Sequence, residues 1–179
     1  MLVERMIRAA RLDSSLYNEV ERDLNATGQA LTVVVIVAVA GGIGQVITLL
    51  AHGRVGEALG GLVSGILSGI VGWIAWSLIT YFVGTSLFGG TATPGEMLRC
   101  IGFANTPLVL GIFVFIPCLG GLIALGAAIW ALVAGIVAVR EALDFTTERA
   151  ILTAIVGFLA YVIIIFIVGL FGFGLRLLF

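Results

Sequence analysis

The hydrophobic pattern divides the chain into one polar, periodic segment and four long runs without charge. In residues 1–25 apolar side chains recur three to four apart, at Leu2, Met6, Ala9 and Ala10 and again at Leu16, Val20 and Leu24, which is the spacing of amphipathic helix. Asp13-Ser14-Ser15 interrupts this pattern with residues that favour helix caps over helix interiors, so two short helices with a break between them are expected. They would lie along the membrane surface or pack under the rest of the fold.

The uncharged runs are Thr27–Ala51, Ala58–Phe88, Cys100–Val139 and Ala150–Leu175. Each exceeds the roughly 20 apolar residues that cross a bilayer, and the third, forty residues long, holds two spans. Pro117-Cys118-Leu119-Gly120-Gly121 is its one stretch rich enough in turn residues to reverse the chain. Thr93-Pro94-Gly95-Glu96 reads as a capping box that starts the third span. Pro107 should kink that span, with Asn105 and Thr106 beside it to bond the freed backbone groups. Thr146 or Thr147 can cap the last helix. The expected fold is an all-α integral membrane bundle of five transmembrane helices with N-terminal amphipathic cytoplasmic helices. Residues 1–25 form the surface helices, and 26–179 form a single transmembrane domain with spans at about 27–51, 60–88, 97–117, 120–139 and 149–173.

Composition strengthens the membrane reading, because 61% of the residues are hydrophobic and 11% charged, against about 45–50% and 25% in soluble domains. With a net charge of −1 and no basic run, nothing points to nucleic acid. All nine basic residues are arginine, as is common in G+C-rich bacterial genomes. Placing the N-terminus in the cytoplasm puts seven arginines inside and leaves Arg54 and Arg176 outside, so a multi-pass protein of the cytoplasmic (inner) membrane is expected. Residues 1–25 do not read as a cleavable signal peptide. Cys100 and Cys118 fall in one predicted helix, about 27 Å apart at 1.5 Å per residue, too far to pair, and read as small apolar fillers.

Gly61, Gly65 and Gly69 recur every fourth residue and suit close helix packing, within the bundle or between two copies of the chain. Asn105, Pro107 and Pro117 are the other candidate packing or kink positions. Arg99, Arg140 and Arg149 are topology anchors or, alternatively, a basic rim that contacts anionic lipid or a partner protein. One histidine and two separated cysteines make no metal site, no cofactor motif appears, and no set of residues reads as catalytic.

Several residues together resemble the prokaryotic branch of the Yip family: Glu21-Arg22-Asp23, Ala26 and Gln29-Ala30, then Glu96-Met97-Leu98-Arg99 with Gly102-Phe103-Ala104 and Pro107, then Trp130, Arg140, Leu143 and Ala150. The resemblance runs over about residues 16–170. It implies five spans with a cytoplasmic N-terminus, in proteins named for interaction with Ypt/Rab GTPases in eukaryotes. Where eukaryotic members carry Asp-Leu-Tyr-Gly-Pro, this chain has Asp23-Leu24-Asn25-Ala26-Thr27, and their Gly-Tyr pair is Gly102-Phe103 here. A non-enzymatic scaffold or accessory factor, in contact with membrane lipids and with other integral membrane proteins or itself, is the expected function. A small transporter or channel subunit and an accessory subunit of an energy-transducing complex are the alternatives.

Overall fold

The computed structural model describes residues 1–178, without the side chains of Ile165 and of residues 168–178, among them Arg176. The described residues form seven α-helices and one 3-10 segment, with no strand. These are α1 (Leu2–Ala10), α2 (Ser14–Arg22), α3 (Ala26–Ala51), α4 (Val55–Phe88), α5 (Pro94–Ala104), the 3-10 segment Thr106–Phe115, α6 (Leu119–Ala142) and α7 (Thr147–Leu178). Among the described residues α3, α4, α6 and the stretch Thr147–Ile164 of α7 are each long and apolar enough to cross a membrane. Helix α5 and the 3-10 segment, bent by 41° at their junction, pass the same test when taken together, which brings the count to five if the bent pair is one span. The protein is an all-α integral membrane bundle. We call near the face that carries α1, α2 and the loops before α5 and α7. The far face carries the turns at His52–Arg54 and Pro117–Cys118.

The third span is the axis of the near half. Met97, Arg99, Cys100, Ile101, Gly102, Phe103 and Ala104 are all buried, because α5 is surrounded by α3, α4, α6 and α2. Gly102 permits the closest of these contacts, since a Cβ there would lie 2.6 Å from the Ala30 Cβ. The helix begins at the capping box, where Thr93 Oγ1 accepts from the Glu96 amide and the Glu96 carboxylate accepts from the Thr93 amide. It ends because Pro107 cannot donate to the Phe103 carbonyl and its ring crowds that oxygen. The Thr106 hydroxyl donates to Phe103 O at 2.7 Å instead, and Asn105 Nδ2 donates to Ile101 O at 2.8 Å. The expected kink is therefore a full break, followed by ten residues of 3-10 helix, long for a geometry that rarely exceeds three or four. The 3-10 segment packs into the gap between α3 and α6, where Gly44 lets its carbonyls approach: a Cβ there would sit 2.7 Å from both Gly111 O and Ile112 O.

The hairpin to α6 corrects the placing of the second cysteine. Cys118 is exposed, outside any helix, and at a φ of 63°. Pro117 halts the 3-10 segment, and Gly120 seats the new helix so close that a Cβ would meet Val114 O at 2.2 Å. Only Cys100 is a buried filler.

The N-terminal helices join the bundle's own core. In α2, Leu16, Tyr17 and Val20 are fully buried against α5 and α6, together with Ala9 from α1. Asp13 caps α2 by accepting from the Ser15 amide, and the Ser15 hydroxyl and Arg8 hold its carboxyl down to about 2. Arg5 ties α1 to Glu19 and Asp23 at 2.7 and 2.9 Å and to Gln29 of α3 at 3.0 Å. The strongest attachment is Arg99. Its Nε donates to Val20 O at 2.9 Å and its Nη2 to Glu21 O, while Nη1 reaches Thr27 Oγ1 at 3.4 Å. A helix leaves its last carbonyls without partners and carries a partial negative charge at that end. The guanidinium thus caps the C-terminus of α2 from within α5.

Replacing Arg99 by Met should lower the unfolding free energy by on the order of 3 kcal/mol, because two shielded carbonyls lose their donors at about 1–3 kcal/mol each. Arg99→Lys, which keeps the charge but not the fork, should restore part of the loss. Thermal melts in detergent check both, and a Met variant that melts like the parent would contradict the cap.

Candidate functional site: an intramembrane cavity

Around the bundle the order is α3, α4, α7, α6 and then α5 with its 3-10 segment, which closes back on α3. In the near half α5 fills the middle. Beyond Asn105 the chain turns aside between α3 and α6 and leaves a pocket of about 670 Å³ that is open on one side, where Gly65, Ser68, Ala128 and Ile129 are exposed. Asn105 and Leu108 line it at the break, with Val34, Val37 and Ala38 from α3. From α4 come Gly65, Ser68, Gly69, Gly72, Trp73 and Trp76, and from α6 come residues between Ala128 and Val139, Gly135 among them. Ala154, Phe158 and Tyr161 of α7 complete the wall. The facing helices α4 and α6 barely meet, and the small residues on both sides leave the space between them.

The wall is hydrocarbon and aromatic, apart from the Asn105 amide, the Ser68 and Tyr161 hydroxyls and the indoles. Trp73 Nε1 is engaged, donating to Leu98 O at 3.0 Å. Trp76 meets Phe158 and Tyr161 edge to face, with ring centroids 6.0 and 5.9 Å apart. No lining residue is charged. Water fills a cavity only where it finds two to four polar partners, and these walls offer few. Three further hydroxyls, Ser77, Thr80 and Thr153, are fully buried on α4 and α7 without a hydrogen-bond partner among the described residues.

The residues singled out from sequence are distributed unevenly about this site. Asn105 lines the cavity and Pro107 is buried at the break that opens it, whereas Pro117 lies in the far-face turn. Of the glycine stripe, Gly65 and Gly69 line the cavity, and only Gly69 has a close neighbour, its Cβ position 3.3 Å from the Ala38 Cβ. Gly61 touches only the Leu49 side chain, at 3.8 Å. The arginines do not form one rim. Arg99 is 4% exposed and turned inward onto α2, so the surface reading of that residue is corrected: a near-face cation with helix-end carbonyls beside it is better solvated by them than by lipid headgroups. Arg140 folds onto Glu141, whose other oxygen accepts from Asn18 of α2 at 2.6 Å. Arg149 is exposed in the first turn of α7. His52 sits exposed at the end of α3, its Nδ1 2.7 Å from Thr48 O. Among the described residues no three His, Cys, Asp or Glu side chains converge as metal ligands.

The aromatic wall of Trp76, Phe158 and Tyr161 escaped the sequence reading. The signal that points to it is a polar amide in mid-span next to a proline, together with small residues on helices that need not touch. Neither a curated protein nor a solved structure matches the chain. A family model does: the Yip1 domain matches residues 14–171, from the start of α2 to the last turns of α7. With nearly its whole length so matched, the chain belongs to the Yip1 domain family.

Proposed function

We propose that this Yip1 family member is a non-enzymatic scaffold or assembly factor for other membrane proteins, set in the cytoplasmic membrane with its near face and N-terminus in the cytoplasm. The observation that carries the reading is the near face itself. Helix α2 is locked into the core by Arg99 and α1 is tied to it by Arg5 and to α6 by Trp130, while the loops before α5 and α7 are joined by the Thr91 hydroxyl donating to Asp144 at 3.1 Å. Most of the charged side chains therefore lie on one preformed surface, which suits docking because little ordering entropy is lost on binding. Arg140, Glu141, Glu148 and Arg149 lie together in sequence around its α6–α7 corner. The orientation rests on the arginine excess at that face.

Two measurements test this. Gentle purification should bring down other integral membrane proteins with the wild type. In the Arg140→Gln/Arg149→Gln variant their recovery should fall roughly tenfold, about 1.4 kcal/mol, with melting little changed, because Arg149 is exposed and the partly exposed Arg140 loses only its pair with Glu141, worth about 1 kcal/mol or less. Recovery of the wild type as a lone protein would contradict the scaffold role. Topology has a native reporter, since Cys118 is exposed on the far face and Cys100 is buried. An impermeant maleimide added outside spheroplasts should label Cys118 and leave the Cys118→Ser variant unlabelled. Labelling that appears only after the membrane is opened would reverse the orientation.

A further inference from the structure

A second pocket adjoins the cavity. It measures about 350 Å³, lies between α6 and α7, and shares Leu132, Ile136, Ala154 and Phe158 with the first. Its remaining walls are Ile151, Ile155 and Leu159. Leu132, Ile155 and Leu159 are each about half exposed on the lipid-facing side of the bundle. The first pocket is itself open to the bilayer where Gly65, Ser68, Ala128 and Ile129 are exposed between α4 and α6, and the second extends it along α7.

The walls set the chemistry of an occupant. It must be mainly hydrocarbon, because the α6–α7 pocket is lined by aliphatic and phenylalanine side chains alone. It must be uncharged, because no lining residue carries a charge to pair with an ion in this low-dielectric setting. It should carry a hydrogen-bonding group at the inner end. There the Asn105 amide oxygen is left over after Nδ2 bonds Ile101 O. The Tyr161 hydroxyl reaches into the space that glycine leaves at position 72, 3.4 Å from where a Cβ would stand. The inner volume, about 670 Å³, falls within the ~300–1,000 Å³ of small-molecule sites.

We infer that the two pockets together bind an uncharged single-chain amphiphile, of the chemistry of a long-chain alcohol, taken up from the bilayer. Its hydroxyl end lies against Asn105 and Tyr161, and its tail runs out along the α6–α7 pocket. This site is independent of the docking role of the near face.

The probe is hexadecanol carrying a photoreactive diazirine on its chain, added to liposomes that hold the full-length protein. Two variants separate the cavity from the lipid surface. Gly135→Leu places a side chain in the cavity, and Gly126→Leu places the same side chain on the same helix away from it; nothing lies within 4 Å of a Cβ at either position. Wild type and Gly126→Leu should be labelled saturably, on peptides of α6 and α7, with unlabelled hexadecanol competing. In Gly135→Leu the labelling should fall roughly tenfold or more. Hexadecane should compete several-fold less well than hexadecanol in the wild type, and Asn105→Leu should erase that difference. Equal labelling of the two glycine variants, labelling that does not saturate, or equal competition by alkane and alcohol in the wild type would each overturn the inference.

Discussion

The Arg99 guanidinium has to find acceptors inside a bundle whose surroundings are hydrocarbon, and it finds them at the carbonyl end of α2. The bond solves two problems at once. A charge on the third span is neutralised by a helix dipole and two carbonyls, and the orphan carbonyls of a short helix gain donors. An isolated nine-residue helix is unstable in water. Fastened in this way, α2 buries Leu16, Tyr17 and Val20 and closes the side of α5 that α3, α4 and α6 leave open. The Trp130 indole adds a second tie, donating to Ala10 O at 2.8 Å and holding the end of α1 against α6. The N-terminal helices are thus a sixth wall of the bundle rather than an appendage on the membrane surface.

The same span that is packed on every side in its near half gives up that position at Asn105. Proline chemistry forces the departure, and two polar side chains make it tolerable in a lipid environment by taking over the backbone carbonyls that the helix abandons. The consequence is architectural. One bent segment both fastens the near face and empties the middle of the bundle, so the surface proposed for docking and the site proposed for an amphiphile hang from one structural element.

Features governed by local chemistry could be read from sequence. The long apolar helices followed from charge-free runs, the start of α5 from Thr93 and Glu96, a bend, though not the full break, from Pro107 with Asn105 and Thr106 beside it, and the start of α2 from Asp13 and Ser15. Features governed by distant neighbours could not. Nothing in the residue type of Arg99 says that Val20 and Glu21, 79 and 78 positions away, will present their carbonyls to it. The regular glycine stripe showed where a helix is narrow without showing whether a partner comes close. The closest approaches to neighbouring backbone fall instead at Gly44, Gly102 and Gly120, which belong to no periodic pattern because each is set by the residue opposite. For the same reason the cavity was half visible, through Asn105 and Gly65, and its aromatic wall was not.

The central claim is that α2 is a buried wall of the bundle held at its end by α5. Hydrogen–deuterium exchange of the wild-type protein in nanodiscs tests it most directly. The amides of residues 17–22, which bond within α2, should exchange nearly as slowly as those of residues 97–104 in α5. Exchange of residues 17–22 within seconds, while α5 remains protected, would show that α5 is sealed without α2 and would contradict the account.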